Sequence, residues 1–171
     1  MKYQMNLVDA VNVIQEAIVR IHARNNGVMQ LKNALVEFST EIEAEAGGEI
    51  SVFVVSVTAN TGFASSNTIS LTLEPTDSDQ AIESLVTTPV DAFVAMADEI
   101  VRAVEHAASA GNPTVRLVHG ESSVSLDLVV TEEGKLSVGT PSLFEKLLKM
   151  NARVEGGIRR VAKNSITLNF D

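Results

Sequence analysis

Residues 36–45 read VEFSTEIEAE. The even positions are Val36, Phe38, Thr40, Ile42 and Ala44; the odd positions are Glu37, Ser39, Glu41, Glu43 and Glu45. Side chains of a β-strand alternate between two faces, whereas a helix would scatter these residues around its circumference. The spacing therefore predicts a strand with an inward apolar face and an acidic, solvated face. Gly47-Gly48 follows and predicts a tight hairpin turn. Residues 50–58 (ISVFVVSVT) are apolar on both faces, as expected of a central, covered strand. Residues 67–74 return to alternation, with Ile69, Leu71 and Leu73 between Thr68, Ser70 and Thr72.

Upstream of this meander the period changes. Leu7, Val11, Ile14, Ile18 and Ile21 recur at steps of three or four, which predicts an amphipathic helix. Asn6 is suited to cap it, Asp9 favours its positive start, and Gly27 is suited to end it. A short strand at 28–32 is expected before the long one. Downstream, Pro89 opens a second predicted helix, 90–110, stopped by Gly111-Asn112-Pro113. Strands are expected at 114–119, 122–131 and 135–138, the last two joined by the turn at 132–135, and another at 164–171. Thr140-Pro141 starts a third helix, read as an amphipathic basic insertion over 141–163.

The two halves spell one order: helix, short strand, long strand, hairpin, closing strand. Val8-Asp9-Ala10 matches Val90-Asp91-Ala92, and Ile18-Val19-Arg20 matches Ile100-Val101-Arg102, both at an offset of 82. NTISLTLE (67–74) matches NSITLNFD (164–171) at an offset of 97. The expected fold class is α+β: two helix-plus-antiparallel-meander units in a pseudo-twofold arrangement, with an extra amphipathic helix in the second. The units are 1–75 and 76–171, packed as one globular body, because a helix on a small sheet covers only one face.

Composition limits the chemistry. The 171 residues include no cysteine, which removes disulfides, thiolate metal sites and cysteine nucleophiles. There is no tryptophan and one tyrosine, Tyr3, so aromatic platforms for stacking nucleic-acid bases are few. The net charge of −9 opposes phosphate backbones, and no nucleic-acid partner is expected. No apolar run approaches the roughly 18 residues of a membrane span, and the opening MKYQMNLVDAV has no long apolar core, so a cytoplasmic, soluble protein is expected. One segment departs from the acidic balance: 141–163 carries Lys146, Lys149, Arg153, Arg159, Arg160 and Lys163 against Glu145 and Glu155, a local net charge of +4.

Candidate chemistry is sparse. His22 and His106 fall near the ends of predicted helices, where the helix dipole favours a cation. His119 precedes Gly120-Glu121-Ser122-Ser123, but a serine–histidine couple needs a third orienting group that the sequence does not supply. Asp77 and Asp79 lack the further ligands of a calcium loop and read as helix caps. No phosphate-loop spacing occurs. No catalytic residue, metal ligand or cofactor is expected. The third helix has a stripe of Leu143, Leu147, Met150, Val154, Ile158 and Val161. It reads as a core helix with a basic back, as a dock for an acidic partner or another copy, or as a membrane-surface helix.

The run at 33–75, after the helix at 8–21, resembles the bacterial trypsin-co-occurring domain family. Members pair a short amphipathic helix with a V-E-L-E-F-like strand, an apolar strand and a K-L-T-L-x-P-like closing strand. The matching parts here are Leu35-Val36-Glu37-Phe38, Val52-Phe53-Val54-Val55 and Ser70-Leu71-Thr72-Leu73-Glu74-Pro75. The middle strand departs from the family in having only Phe53 beside Val54 where an aromatic pair is frequent. Such domains occur beside trypsin-like proteases and in bacterial conflict systems, without an established catalytic role. The resemblance implies a non-catalytic accessory or protein-interaction module that binds a protein partner or itself; the charge pattern, independently of the resemblance, offers the six cations of 141–163 as partner-binding candidates. The alternatives are a small-ligand binding protein or enzyme with a pocket between the units, and a phage or assembly component.

Overall fold

A computed structural model describes residues 3–24, 30–44, 46–58, 67–76, 99, 102, 122–152 and 160–170. Of the helix expected at 90–110, Glu99 and Arg102 are described; both are helical and form an ion pair at 3.1 Å. The strand expected at 114–119 lies outside the described residues.

The described elements are α+β. They run β1 (Tyr3–Asn6), α1 (Leu7–Arg24), β2 (Leu31–Ala44), β3 (Ile50–Thr58), β4 (Asn67–Leu73), β5 (Ser122–Val130), β6 (Leu136–Val138), α2 (Pro141–Ala152), β7 (Arg160–Val161) and β8 (Asn164–Phe170). All eight strands join one antiparallel sheet in the order β1-β3-β2-β8-β5-β6, with β4 on β2 and β7 on β3. Strand β1 was not expected from the sequence. It is four residues long, too short to show a period, and is defined by its pairing with β3.

The helix start is as expected. Asn6 Oδ1 accepts a hydrogen bond from the Val8 N–H at 2.9 Å, so the chain passes straight from β1 into α1. Helix α1 buries Ala10, Ile14, Ala17, Ile18 and Ile21 against Ala34, Val36, Phe38, Val54, Ile166, Leu168 and Phe170 of the sheet. Each buried isoleucine contributes on the order of 1.5–3 kcal/mol.

Strand β2 is one long element where the sequence suggested a short strand at 28–32 before it. Its inward series Ala34, Val36, Phe38 and Thr40 is fully buried. Beyond Thr40 the expected burial inverts. Ile42 is 56% exposed, while Glu41, expected on the solvated face, is 1% exposed. The pleat itself still alternates, in unbroken register with β3 from Thr40↔Val54 to Ala44↔Ile50. What changes is the covering of each face, which period alone does not encode. The hairpin turn uses Gly47 and Gly48, both with positive φ, as Gly-Gly predicts. Strand β3 is buried on both faces at Val54, Val55 and Ser56.

The β2–β3 hairpin then forks. β3 parts from β2 beyond Val54 while staying paired with β1 on its other edge, and the edge of β2 that it leaves is taken by β8 from Glu37 back to Leu31. The segment 160–170 fills the fork: β7 pairs with β3 at Val57 and Thr58, Ala162 N–H donates to the Ser56 carbonyl at 2.9 Å, and β8 continues along β2. Asn164 sits at the apex, 2% exposed. Its Oδ1 accepts from Ser39 N–H at 2.8 Å and its Nδ2 donates to the Val55 carbonyl at 3.0 Å. Ser56 Oγ accepts from Val130 N–H at 2.6 Å and ties β5 to the same point.

Two three-stranded arrangements share one order. β2 has its hairpin partner β3 on one edge and β4 on the other; β5 has β6 on one edge and β8 on the other. The sheet as a whole is not symmetric, because β8 also pairs with β2, whereas among the described residues β4 pairs with β2 alone.

Asn164→Leu keeps the volume but orphans the Ser39 N–H and the Val55 carbonyl. Urea unfolding is expected to show a loss of roughly 2–4 kcal/mol. An unchanged midpoint would refute the role assigned to this amide.

Candidate functional site

The basic segment was expected to be one helix over 141–163. Its start is as expected: Thr140 Oγ1 accepts from Leu143 N–H at 3.3 Å and its carbonyl from Phe144 N–H at 3.0 Å, with Pro141 in the first turn. Its end is not. Helix α2 is described over Pro141–Ala152, residues 153–159 lie outside the described residues, and Arg160–Val161 is a strand. Two adjacent glycines, Gly156 and Gly157, each cost a helix interior about 1 kcal/mol, and residues 160–161 gain ladder bonds to β3 instead. A single apolar stripe from Leu143 to Val161 therefore does not exist.

Helix α2 is held to the face of the sheet opposite α1. Alternation along β5 decides this: Leu128 and Val130 enter the α1 core, while Val129 meets Tyr3 and Leu147, with Phe144 packed beside them. Tyr3 reaches this second cluster through a register irregularity between Tyr3 and Gln4, which returns Met5 to the α1 side. Gly139 admits the Phe144 ring: a β-carbon there would fall 2.6 Å from Phe144 Cε2 and 3.2 Å from Asp127 Cβ.

The candidate cations are divided among elements. Lys146 is exposed on α2, with Nζ 3.5 Å from Glu132 Oε2, so part of its charge is answered within the chain. Lys163 is exposed at the fork, where its carbonyl accepts from Ser39 Oγ at 2.8 Å. Arg160 lies in β7. Lys149 lies in α2; its side chain and that of Arg160, together with Arg153 and Arg159, fall outside the described residues. His106, His119, Asp77 and Asp79 also fall outside them. His22 is half-buried near the end of α1, as its place in the sequence suggested.

The sequence reading missed the group around Tyr3. Burial pushes the Tyr3 phenol above its ordinary range, and the Glu132 carboxylate beside it adds to the effect; Lys146 works in the opposite sense. Glu133 is held below the usual carboxylate range by its own backbone N–H and the Thr131 hydroxyl. The turn carrying both is closed by Gly134, whose N–H donates to the Thr131 carbonyl at 2.9 Å. A lone tyrosine in an aromatic-poor chain was the available signal. Asn164 was also missed, although an asparagine in register with inward Ile166, Leu168 and Phe170 demands buried hydrogen-bond partners.

Among the described residues, no group of three or more histidine, aspartate or glutamate side chains is gathered as metal ligands would be. No helix among them is long and apolar enough to cross a membrane. No family model, curated protein or solved structure matches the chain.

Tyr3 is the sole tyrosine and there is no tryptophan, so its ionisation can be followed directly by absorbance. A raised folded-state value means its stabilising contribution is complete below the ordinary value near 10 and is lost as pH rises through the folded value. The phenolate midpoint is expected above that of free tyrosine; a midpoint at or below it would contradict the buried placement. Gly139→Ala is expected to lower stability by about 1–3 kcal/mol by displacing the Phe144 ring, read as a lower melting temperature than wild type.

Proposed function

We propose that the chain is a non-catalytic accessory module that binds a protein partner through the cations of residues 141–163, Lys146, Lys149, Arg153, Arg159, Arg160 and Lys163. The observation that carries this reading is how α2 is seated. Leu147 anchors the helix on Tyr3 and Val129, while Glu145 and Lys146 face outward. A helix fixed on one side and charged on the other presents its cations without paying to order them at binding. The local charge of +4 in a chain of −9 makes an acidic protein the complementary partner.

The resemblance of residues 33–75 to the trypsin-co-occurring domain family supports an accessory role beside a protease or conflict-system effector. We also read the β3-β2-β4 and β6-β5-β8 arrangements as two copies of one unit. Support comes from their common strand order and from the likeness of NTISLTLE to NSITLNFD.

Cross-linking and pull-down with the doubly charge-reversed variant Lys146→Glu/Lys163→Glu tests the proposal. Partner capture is expected to fall with added salt and to be lost in the variant, whose circular dichroism stays that of the wild type. Capture that withstands both the reversal and the salt would remove the basic surface from consideration.

A further inference from the structure

The described residues leave five large apolar side chains exposed: Val8, Val19, Leu35, Ile42 and Ile50. Three of them lie at one end of the sheet. Ile42 pairs with Val52 and Ala44 with Ile50, so these four side chains share one face of the β2–β3 hairpin tip. This is the face that α1 covers farther along, at Val36, Phe38 and Val54. Ile50 at the tip is 70% exposed. Val8 belongs to the same end, because Asn6 pairs with Phe53, next to Val52, and α1 begins directly after it. Helix α1 thus starts at the rim of the tip and runs away from it, leaving the last turn's length of apolar sheet bare.

Among the described residues, Asp9 stands in the first turn of α1 and Glu49 in the exposed turn of the tip, while Glu43 projects from the opposite face of the ribbon beside Ser51. Neither residues 3–19 nor residues 33–101 contain a lysine or arginine, and the second stretch holds twelve carboxylate side chains. An apolar patch bordered by Asp9 and Glu49, on stretches of chain that carry no cation, is complementary to an apolar stripe flanked by cations. The ribbon is two strands wide, about 10 Å at a strand spacing near 4.8 Å, which matches the diameter of one helix.

We propose that the hairpin tip, with Val8, Ile42, Ala44, Ile50 and Val52, is a docking site for a basic amphipathic helix of a partner protein, which continues the helical layer begun by α1. The apolar side chains supply the anchor, and Asp9 and Glu49 select the basic flanks. This site is distinct from the cationic surface of α2 and takes a partner of opposite charge, so either can fail without the other.

The test uses a labelled synthetic helix of leucine and lysine in amphipathic order, its leucine–glutamate twin, and the full-length protein. Anisotropy is expected to show binding of the lysine peptide alone, weakening as salt rises. Ile42→Ser/Ile50→Ser keeps every charge and removes only exposed side chains. It is expected to weaken binding at least about tenfold, equivalent to about 1.4 kcal/mol, with unaltered circular dichroism. Amide shifts are expected at Val8, Ala44, Gly47, Gly48 and Ile50. Equal binding of the glutamate peptide, unchanged affinity of the double serine variant, or shifts spread over the acidic surface away from the tip would overturn the proposal. So would sedimentation showing that wild type self-associates through Ile42 and Ile50, since a second copy would then be the occupant.

Discussion

The carboxamide of Asn164 occupies a point where a β-sheet cannot otherwise satisfy its own backbone. When β3 parts from β2, the inner edges of both strands lose their ladder partners inside the protein. At the apex one N–H, of Ser39, and one carbonyl, of Val55, face the gap. An asparagine side chain carries one acceptor and donors on a short stem and answers both at once. An aspartate has no donor, and a glutamine reaches one carbon too far. With the apex closed, residues 160–162 can follow one arm of the fork and residues 164–170 the other. The strand that results is buried on alternate residues and paired along both edges, with β2 and β5. The sheet therefore depends on contacts between residues 109 and 125 positions apart, an arrangement with a high entropic cost before its bonds form.

That dependence explains what the sequence made legible and what it hid. Period-two alternation located β2 and β4, the likeness of NSITLNFD to NTISLTLE located β8, and the glycines marked the β2–β3 and β5–β6 turns, because each is carried by a few consecutive residues. The Asn6 cap and the helix start at Thr140-Pro141 were legible for the same reason. The fork, by contrast, is a relation between segments. Nothing local in Leu35 or Glu37 announces that β8 will replace β3 beside them. Nor does period reveal what lies over a face. Glu41 and Ile42 hold the orientations that the alternation assigns, yet the carboxylate is buried and the isoleucine is bare; the hairpin extends past α1, which uncovers Ile42. The end of the basic segment was not legible for a different reason: the apolar spacing continues to Val161, and only the pairing of Arg160–Val161 with β3 makes that part a strand.

The face of the sheet away from α1 shows how a chain with few aromatics finishes an open surface. Across β2, β8 and β5 it carries Asn33, Asn169 and Ser123, then Leu35, Thr167 and Ser125, then Glu37, Ser165 and Asp127. Neighbours within these rows bond to one another, Ser125 to Thr167 at 2.9 Å and Asn169 to Asn33 at 2.7 Å. Short polar side chains that satisfy each other tolerate water without inviting a second sheet.

Placement of α2 follows from the same alternation, taken one residue at a time. Three consecutive residues of β5 serve two cores: Leu128 and Val130 serve α1, and Val129 serves α2. Because Val130 is also bonded through its N–H to Ser56, the strand cannot slip by one residue without breaking that bond and exchanging the two faces. The irregularity after Tyr3 does the complementary task on β1, delivering one ring to the outer cluster while Met5 stays with the inner one. The outward face of α2, and the Lys146 it carries, are thus oriented by the register of β5 against β3 and β8 rather than by the helix itself. A surface fixed in this way is rigid in proportion to the sheet beneath it, and the sheet is fixed at the fork.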